Sequence, residues 1–287
     1  MQFGEPSRTA QAVALQRAAH QILERPRIFE DPLALRVIGA ATAQGLRNDL
    51  AAFTDPLSRG LRAAVVARSR YAEDQLSEAV GAGVRQYVVL GAGLDTFAHR
   101  NPYPQLAVYE VDHPATQAWK HRLLQEIGLA LPGSARLVAV DFHTQRLVAA
   151  LTAAGFQWHA RCFVSWLGVT VYLEHAAIRD TLSQIASAAA PGSRIVFDYA
   201  LRPELMSSEQ RVASATLARR AAAVGEPWQT WFAPQELHEE LQQLGYARVQ
   251  DVGATELNQR YFGGREDGFA WRGAGRLASA EVAPRTP

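Results

Sequence analysis

One cysteine, Cys162, and one lysine, Lys120, are all that a chain of 287 residues contains of either type. A lone thiol permits no internal disulfide. Its place at the head of the apolar run CFVSWL marks a buried structural group rather than a nucleophile. A lone lysine confines any lysine-based mechanism to position 120. No run of about eighteen apolar residues exists, so no segment is long enough to span a membrane as a helix. The N-terminal stretch MQFGEPSRTAQ lacks the basic-then-apolar pattern of a secretory signal. HExxH, paired CxxC and EF-hand spacings are missing, which leaves no metal motif. Charge of one sign is missing too. A net charge of +1 creates no field that draws in nucleic acid or a membrane surface. Together these absences predict a soluble protein of a reducing, cytoplasmic compartment.

What is present is ample material for a core, since 48% of the residues are hydrophobic. The length suits one large α/β domain or two small ones. Residues 6–50 read as helical, with breaks at Pro26 and Pro32. Residues 61–80 read as an amphipathic helix. At about 100° per residue, Leu61, Val65, Ala72, Leu76 and Ala79 share one face. Arg68 falls in the middle of that face, whereas Arg70 points away. A buried arginine needs an anion. An internal carboxylate or a ligand carboxylate would serve equally.

Beyond this helix, strand-like runs at 86–90, 106–110, 136–140, 162–166 and 194–199 alternate with helical segments at 115–127, 144–154 and 175–189. Such alternation implies a parallel sheet covered by helices on both faces. Further helices are expected at 207–223 and about 234–244. Strands near 247–252 and 258–262 read as a closing antiparallel pair. The tail from about Ser279 reads as frayed.

The most informative stretch is QYVVLGAGLDTFAHR, residues 86–100. An apolar, β-branched run ends abruptly in Gly91-Ala92-Gly93. Two glycines directly after a buried strand let the backbone turn tightly and approach a ligand. The next strand ends in Glu110-Val111-Asp112. A carboxylate there suits the hydroxyls of a nucleoside ribose. A third loop glycine is absent, because Thr96 takes its place. Ligands of open α/β sheets bind at the C-terminal strand ends. That rule selects Gly91–Asp95, Glu110–Asp112, Asp141-Phe142, Trp166–Tyr172 and Asp198-Tyr199. Asp141 suits an adenine amino group, or equally a helix cap.

The run Leu90–Thr96 resembles the glycine loop of the leucine carboxyl methyltransferase family, class I enzymes that use S-adenosylmethionine (SAM). Glu5–Ala10, Asp31–Ala34, Arg68–Tyr71, Tyr109–Pro114, Trp166–Leu173 and Gly225–Trp228 resemble its bacterial members as well. The resemblance spans about residues 5–277. It implies a Rossmann-like fold: a mostly parallel seven-stranded sheet with a C-terminal antiparallel hairpin and a helical cap. It also implies a single domain over 1–287, with the cap at about 1–80 and a lid insertion at about 200–233. In this reading Gly91, Ala92 and Gly93 approach the amino-acid end of SAM, and Arg68 binds its carboxylate. Asp112 holds the ribose, while Asp141 and Phe142 hold adenine. Leu167 stands where many relatives carry a glutamate, so the cofactor's ammonium group must find Asp95 or a backbone carbonyl instead.

The family implies a methyltransferase with a small molecule as acceptor; the alternatives are a peptide or protein C-terminal carboxylate, a hydroxyl or carbon acceptor, and SAM binding without methyl transfer. Arg8, Tyr172, Tyr199 and Trp228 are the candidate substrate contacts. An ionised carboxylate needs no general base, whereas a phenol benefits from one. The sequence shows no dedicated base motif, although His20 and His175 are candidates. The reading is therefore O-methylation of a small-molecule carboxylate in secondary metabolism. The acceptor's identity and the oligomeric state stay open.

Overall fold

A computed structural model describes residues 7–141 and 145–285. Its elements, among the described residues, begin with the helices α1 (Arg8–Leu23), α2 (Ala34–Val37), α3 (Ala40–Asn48) and α4 (Pro56–Gly81). Then come β1 (Gln86–Leu90), α5 (Phe97–Arg100), β2 (Ala107–Asp112), α6 (Pro114–Glu126), β3 (Ala135–Ala139), α7 (Leu147–Ala153), β4 (Phe163–Trp166), α8 (His175–Ala188) and β5 (Arg194–Ala200). The chain closes with α9 (Ser208–Ala223), α10 (Pro234–Gln243), β6 (Tyr246–Val252), α11 (Ala254–Tyr261) and β7 (Gly275–Val282).

The strands form one seven-stranded sheet of order β3-β2-β1-β4-β5-β7-β6. The pairs among β1 to β5 are all parallel. Strand β7 runs antiparallel to both β5 and β6. The expected architecture of a mostly parallel sheet with an antiparallel end is therefore present. Chain order reverses between β1 and β4, and a crevice opens there at the carboxyl ends of the strands.

Strand parity builds two cores. Successive side chains of a strand point to opposite faces. Val88 and Leu90 of β1 join Val111, Val164, Trp166 and Phe197 beneath α7, α8 and α10. Tyr87 and Val89 join Val108, Phe163 and Val196 beneath α4. Helix α4 packs on this face against β4 and β5, and Leu257, Phe262, Phe269 and Trp271 join it there. It starts at Asp55, whose carboxylate accepts from the N–H groups of Leu57 and Ser58. A third cluster packs α1 and α3 against Leu94 of the glycine loop.

Two expectations for the C-terminal region fail. Residues 258–262 are not a strand but lie mostly in α11. The Glu256 carboxylate accepts from Gly253 N–H at 2.8 Å and starts that helix. The strand that completes the sheet is β7, which includes Ser279–Val282, the stretch read as frayed. Ala278, Ala280 and Val282 are all at most 3% exposed, so this end of the chain is core. The small side chains of Ala278-Ser279-Ala280 hide the apolar alternation by which strands are recognised.

Because β7 lies between β5 and β6, removing residues 279–287 strips pairing from two strands at once. We expect that truncation to abolish cooperative thermal unfolding. A truncated protein with a sharp transition near that of the full chain would show the strand to be dispensable.

Candidate active site

The crevice at the β1/β4 switch encloses a cavity of about 260 Å³. The glycine loop forms its floor. Gly91 and Gly93 have φ values of 65° and 47°, in the left-handed region that glycine tolerates best. Space also demands glycine at position 91. A Cβ there would lie 2.2 Å from Cγ2 of Val169 in the loop after β4. The amides of Gly91 and Ala92 both donate to Val111 O, which ties the loop to β2.

Asp112 ends β2 at the cavity wall. Its Oδ2 accepts from Gly93 N–H at 2.6 Å, and its Oδ1 from His113 N–H at 2.7 Å. Burial raises its pKa, and these backbone donors counter part of the rise. The carboxylate is thus fixed in orientation before any ligand arrives. The neighbouring Glu110 faces inward. It is fully buried and pairs with the ammonium group of Lys120 at 2.5 Å. Lys120 also donates to Asp95 O at 2.6 Å, so the only lysine braces the glycine loop from behind. Asp141 lines the cavity beyond Asp112, at the β3 side. Phe142 lies outside the described residues.

On the other side of the switch, Arg68 lines the cavity and donates to Asp198 at 2.7 Å. Asp198 also accepts from Gly168 N–H at 2.6 Å. Gly168, at φ 73°, leaves room for the guanidinium, because a Cβ there would lie 2.5 Å from Arg68 Nη2. Both alternatives for Arg68 therefore meet in one place: it has an internal carboxylate and it borders the cavity. Leu167 lines the cavity beside it. Asp95 does not stand free. Its Oδ1 accepts from Phe97 N–H, and its Oδ2 pairs with Arg17 at 2.9 Å. Burial pushes this carboxyl up, but Arg17, Arg100 and Lys120 outweigh it and hold the pKa at about 2.

The roof combines the start of α1 with residues 226–230. Glu226, only 7% exposed, accepts from Ser7 Oγ at 3.1 Å and from Arg8 N–H at 2.8 Å, and also from the Thr9 hydroxyl. Gln229 N–H donates to Val171 O at 2.7 Å, and Thr230 Oγ1 to Leu173 O at 2.6 Å. Tyr172 lines the cavity beneath this roof, and burial raises the pKa of its hydroxyl.

Three of the four substrate candidates do not line the cavity. The Arg8 side chain is exposed and is not part of the wall; only its backbone N–H joins the roof. Tyr199 is 2% exposed and donates to Asp251 at 2.5 Å on the far side of β5. Strand parity explains this, because Asp198 takes the cavity-side direction and Tyr199 the opposite one. Trp228 is half-buried beside Tyr172 rather than in the wall. His20 is buried between Glu24 and the amides of Ile28 and Phe29. His175 pairs with Glu240 at 2.9 Å. Neither lines the cavity. Conversely, Arg17, Glu73 and Glu226 line it without having been singled out. Glu226 stands in the quoted Gly225–Trp228 run, and Arg17 is a charge inside the apolar α1 pattern. Those were the available signals.

Substituting Gly91→Ala tests the loop. A non-glycine residue at that φ costs about 1–3 kcal/mol, and here it must also displace Val169. Lower thermal stability together with loss of adenosyl-ligand binding is expected. Unchanged calorimetric affinity would mean that the loop does not approach the ligand.

Comparison with known proteins bears on the same region. The model of the leucine carboxyl methyltransferase family matches residues 10–186. YktD of Bacillus subtilis, which carries the name of a SAM-dependent methyltransferase, is 30% identical and aligns over 94% of this chain and 96% of its own. A protein of Frankia alni, named in the same way, is 32% identical over 88% of both chains. Among solved structures, a Thermobifida fusca protein described as a methyltransferase superposes with a TM-score of 0.62, covering 99% of this chain and 97% of its own at 16% identity. Human N-acetylserotonin methyltransferase in complex with SAM gives 0.50, at 12% identity, over 96% of this chain and 67% of its own. These two likenesses concern the fold. The family match and the full-length relatives go further: the chain belongs to the leucine carboxyl methyltransferase family of SAM-dependent methyltransferases.

Proposed function

We propose that the protein transfers the methyl group of SAM to a carboxylate oxygen of a small molecule, in the cytoplasm and within secondary metabolism. One observation carries this reading. A single cavity joins a carboxylate fixed for ribose, Asp112, to a cation fixed for a carboxylate, Arg68, under a hydrogen-bonded roof. SAM supplies, when bound, an activated methyl group on a sulfonium centre. The chain's own contribution is placement and exclusion of water.

Asp112 receives the ribose hydroxyls. Gly91–Gly93 gives the methionyl part close access, Leu167 packs beside it, and Asp141 stands at the adenine end. Tyr172, Thr9 and Gln229 bound the acceptor space. A carboxylate acceptor is favoured because it needs no proton removed by the groups that bound this space. Glu226 is engaged by three donors in closing the roof, and the Tyr172 hydroxyl is pushed to higher pKa. A small acceptor is favoured over a peptide by the bonds that close the roof.

Two measurements test the proposal. Asp112→Ala removes the charged acceptor and also strands Gly93 N–H. Calorimetry should show S-adenosylhomocysteine binding weakened by about 1.5–3 kcal/mol in a folded mutant. Full affinity would move the ribose contact elsewhere. For the acceptor, small carboxylates, phenols and C-terminal peptides are incubated with SAM and their products weighed by mass spectrometry. Methyl esters of small acids are expected, with turnover nearly flat between about pH 6 and about pH 9, where a carboxylate is already ionised. A steep alkaline rise, or products only from phenols or peptides, would defeat the carboxylate reading.

A further inference from the structure

Under the glycine loop lies one charge cluster of five side chains, with Arg17 and Asp31 buried and Glu73, Asp95 and Arg100 partly so. Arg17 pairs with Asp31 at 2.8 Å and with Asp95 at 2.9 Å. Arg100 pairs with Glu73 at 2.6 Å and lies 3.6 Å from Asp31. The Thr96 hydroxyl donates to Asp31 at 2.7 Å and accepts from Arg100 Nε at 2.8 Å. The adjacent Lys120–Glu110 pair is neutral in itself. Among the described residues, three carboxylates thus face two guanidiniums, and the cluster is one cation short. Burying an uncompensated charge is costly, and a protein site of this kind either takes up a proton or receives a cation. Burial raises the pKa of Glu73, and Asp95 adds to the rise against the pull of Arg100.

The deficit opens onto the cavity. Asp31 and Arg100 lie behind, whereas Arg17, Glu73 and Asp95 form wall. Of these three, Arg17 is spanned between two carboxylates and 7% exposed. Glu73 and Asp95 have side chains 26% and 23% exposed. Ser69, Ala72, Tyr87 and Ser165 line the same recess with small or hydroxyl groups. Arg68 and Glu73 belong to the same helix, α4, about 7.5 Å apart along its axis. Arg68 therefore offers a cation, and the cluster an unmet negative charge, across one recess. An α-amino acid group has the complementary pair.

We infer that Glu73, backed by Asp95, receives the α-ammonium group of the cofactor's methionyl end, opposite Arg68. This rests on the SAM reading above and adds the contact that Leu167 cannot make.

The test is calorimetry with three probes on the intact protein: S-adenosylhomocysteine, its deaminated analogue with hydrogen in place of the ammonium group, and methylthioadenosine, which lacks the amino-acid end. The native protein should prefer S-adenosylhomocysteine to the deaminated analogue by about tenfold or more, the scale of one charge-assisted hydrogen bond. In Glu73→Gln, which keeps an acceptor for Arg100, that preference should collapse. Affinity for the deaminated analogue and for methylthioadenosine should hold. A general packing defect would weaken all three alike and would overturn the inference, as would an unchanged preference. Should the variant fail to fold, the native protein alone decides, because equal affinity for the two amino-acid probes refutes an ammonium site. Failure of all three probes to bind would instead reject the SAM reading.

Discussion

The interaction on which the site depends is the bridge made by Arg17. This guanidinium, in the middle of α1, binds Asp31 in the turn before α2 and Asp95 in the glycine loop. It thereby fixes the helical cap against the sheet at the point where the cavity floor turns. The Arg17–Asp31 half of the bridge is buried. Loss of one partner of a buried ion pair typically costs about 3–5 kcal/mol, because the other charge stays behind without water. Asp95 is engaged on three fronts: Phe97 N–H, Arg17, and Lys120 on its carbonyl. The loop that faces the ligand is thus held from both sides by charges that do not themselves touch the nucleoside end.

Strands β1 to β5 were legible because each is a compact apolar run bounded by glycine, proline or polar residues, and because the helices between them carry a helical period. The C-terminal part was not. Strand β7 is built largely of small residues, and the end of α11 with its cap, Tyr261-Phe262, is an aromatic pair that also suits a strand. The site divides in a similar way. That Gly91, Gly93, Asp112 and Arg68 border the cavity was legible because each position is set locally, at the end of a strand or on a helix face. Arg17 and Glu226 were not, because their partners are remote: Arg17 meets Asp95 across 78 positions, and Glu226 meets Thr9 across 217. Tyr199 stays out of the cavity for a simpler reason. Its place at a strand end is correct, but its parity turns it to the opposite face.

The roof is held differently from the floor. The floor relies on ion pairs and left-handed glycines, which permit one arrangement. The roof relies on a carboxylate receiving hydroxyl and amide donors from the start of α1, and on backbone carbonyls after β4 receiving donors from Gln229 and Thr230. The neutral bonds of Gln229 and Thr230 exchange with water at little net cost, about 0.5–1.5 kcal/mol each, whereas those to the Glu226 carboxylate are worth about 1.5–3 kcal/mol. A rigid floor with an exchangeable roof suits a site that binds one component by fixed chemistry and must admit a second.

Insertion of β7 between β5 and β6 also orders events during synthesis. Strands β1 to β5 and the whole glycine loop are made well before residue 275, so the nucleoside end of the cavity has its neighbours early. Strand β6 has no partner in the sheet until β7 emerges, and until then the flank of β5 lies bare. Until residues 275–282 have been made, the nascent chain carries β5 as an open edge inside its future sheet. Such an edge is a template for pairing with another chain. The protein is therefore most exposed to misassembly when its binding machinery is already written and only its closing strand is missing.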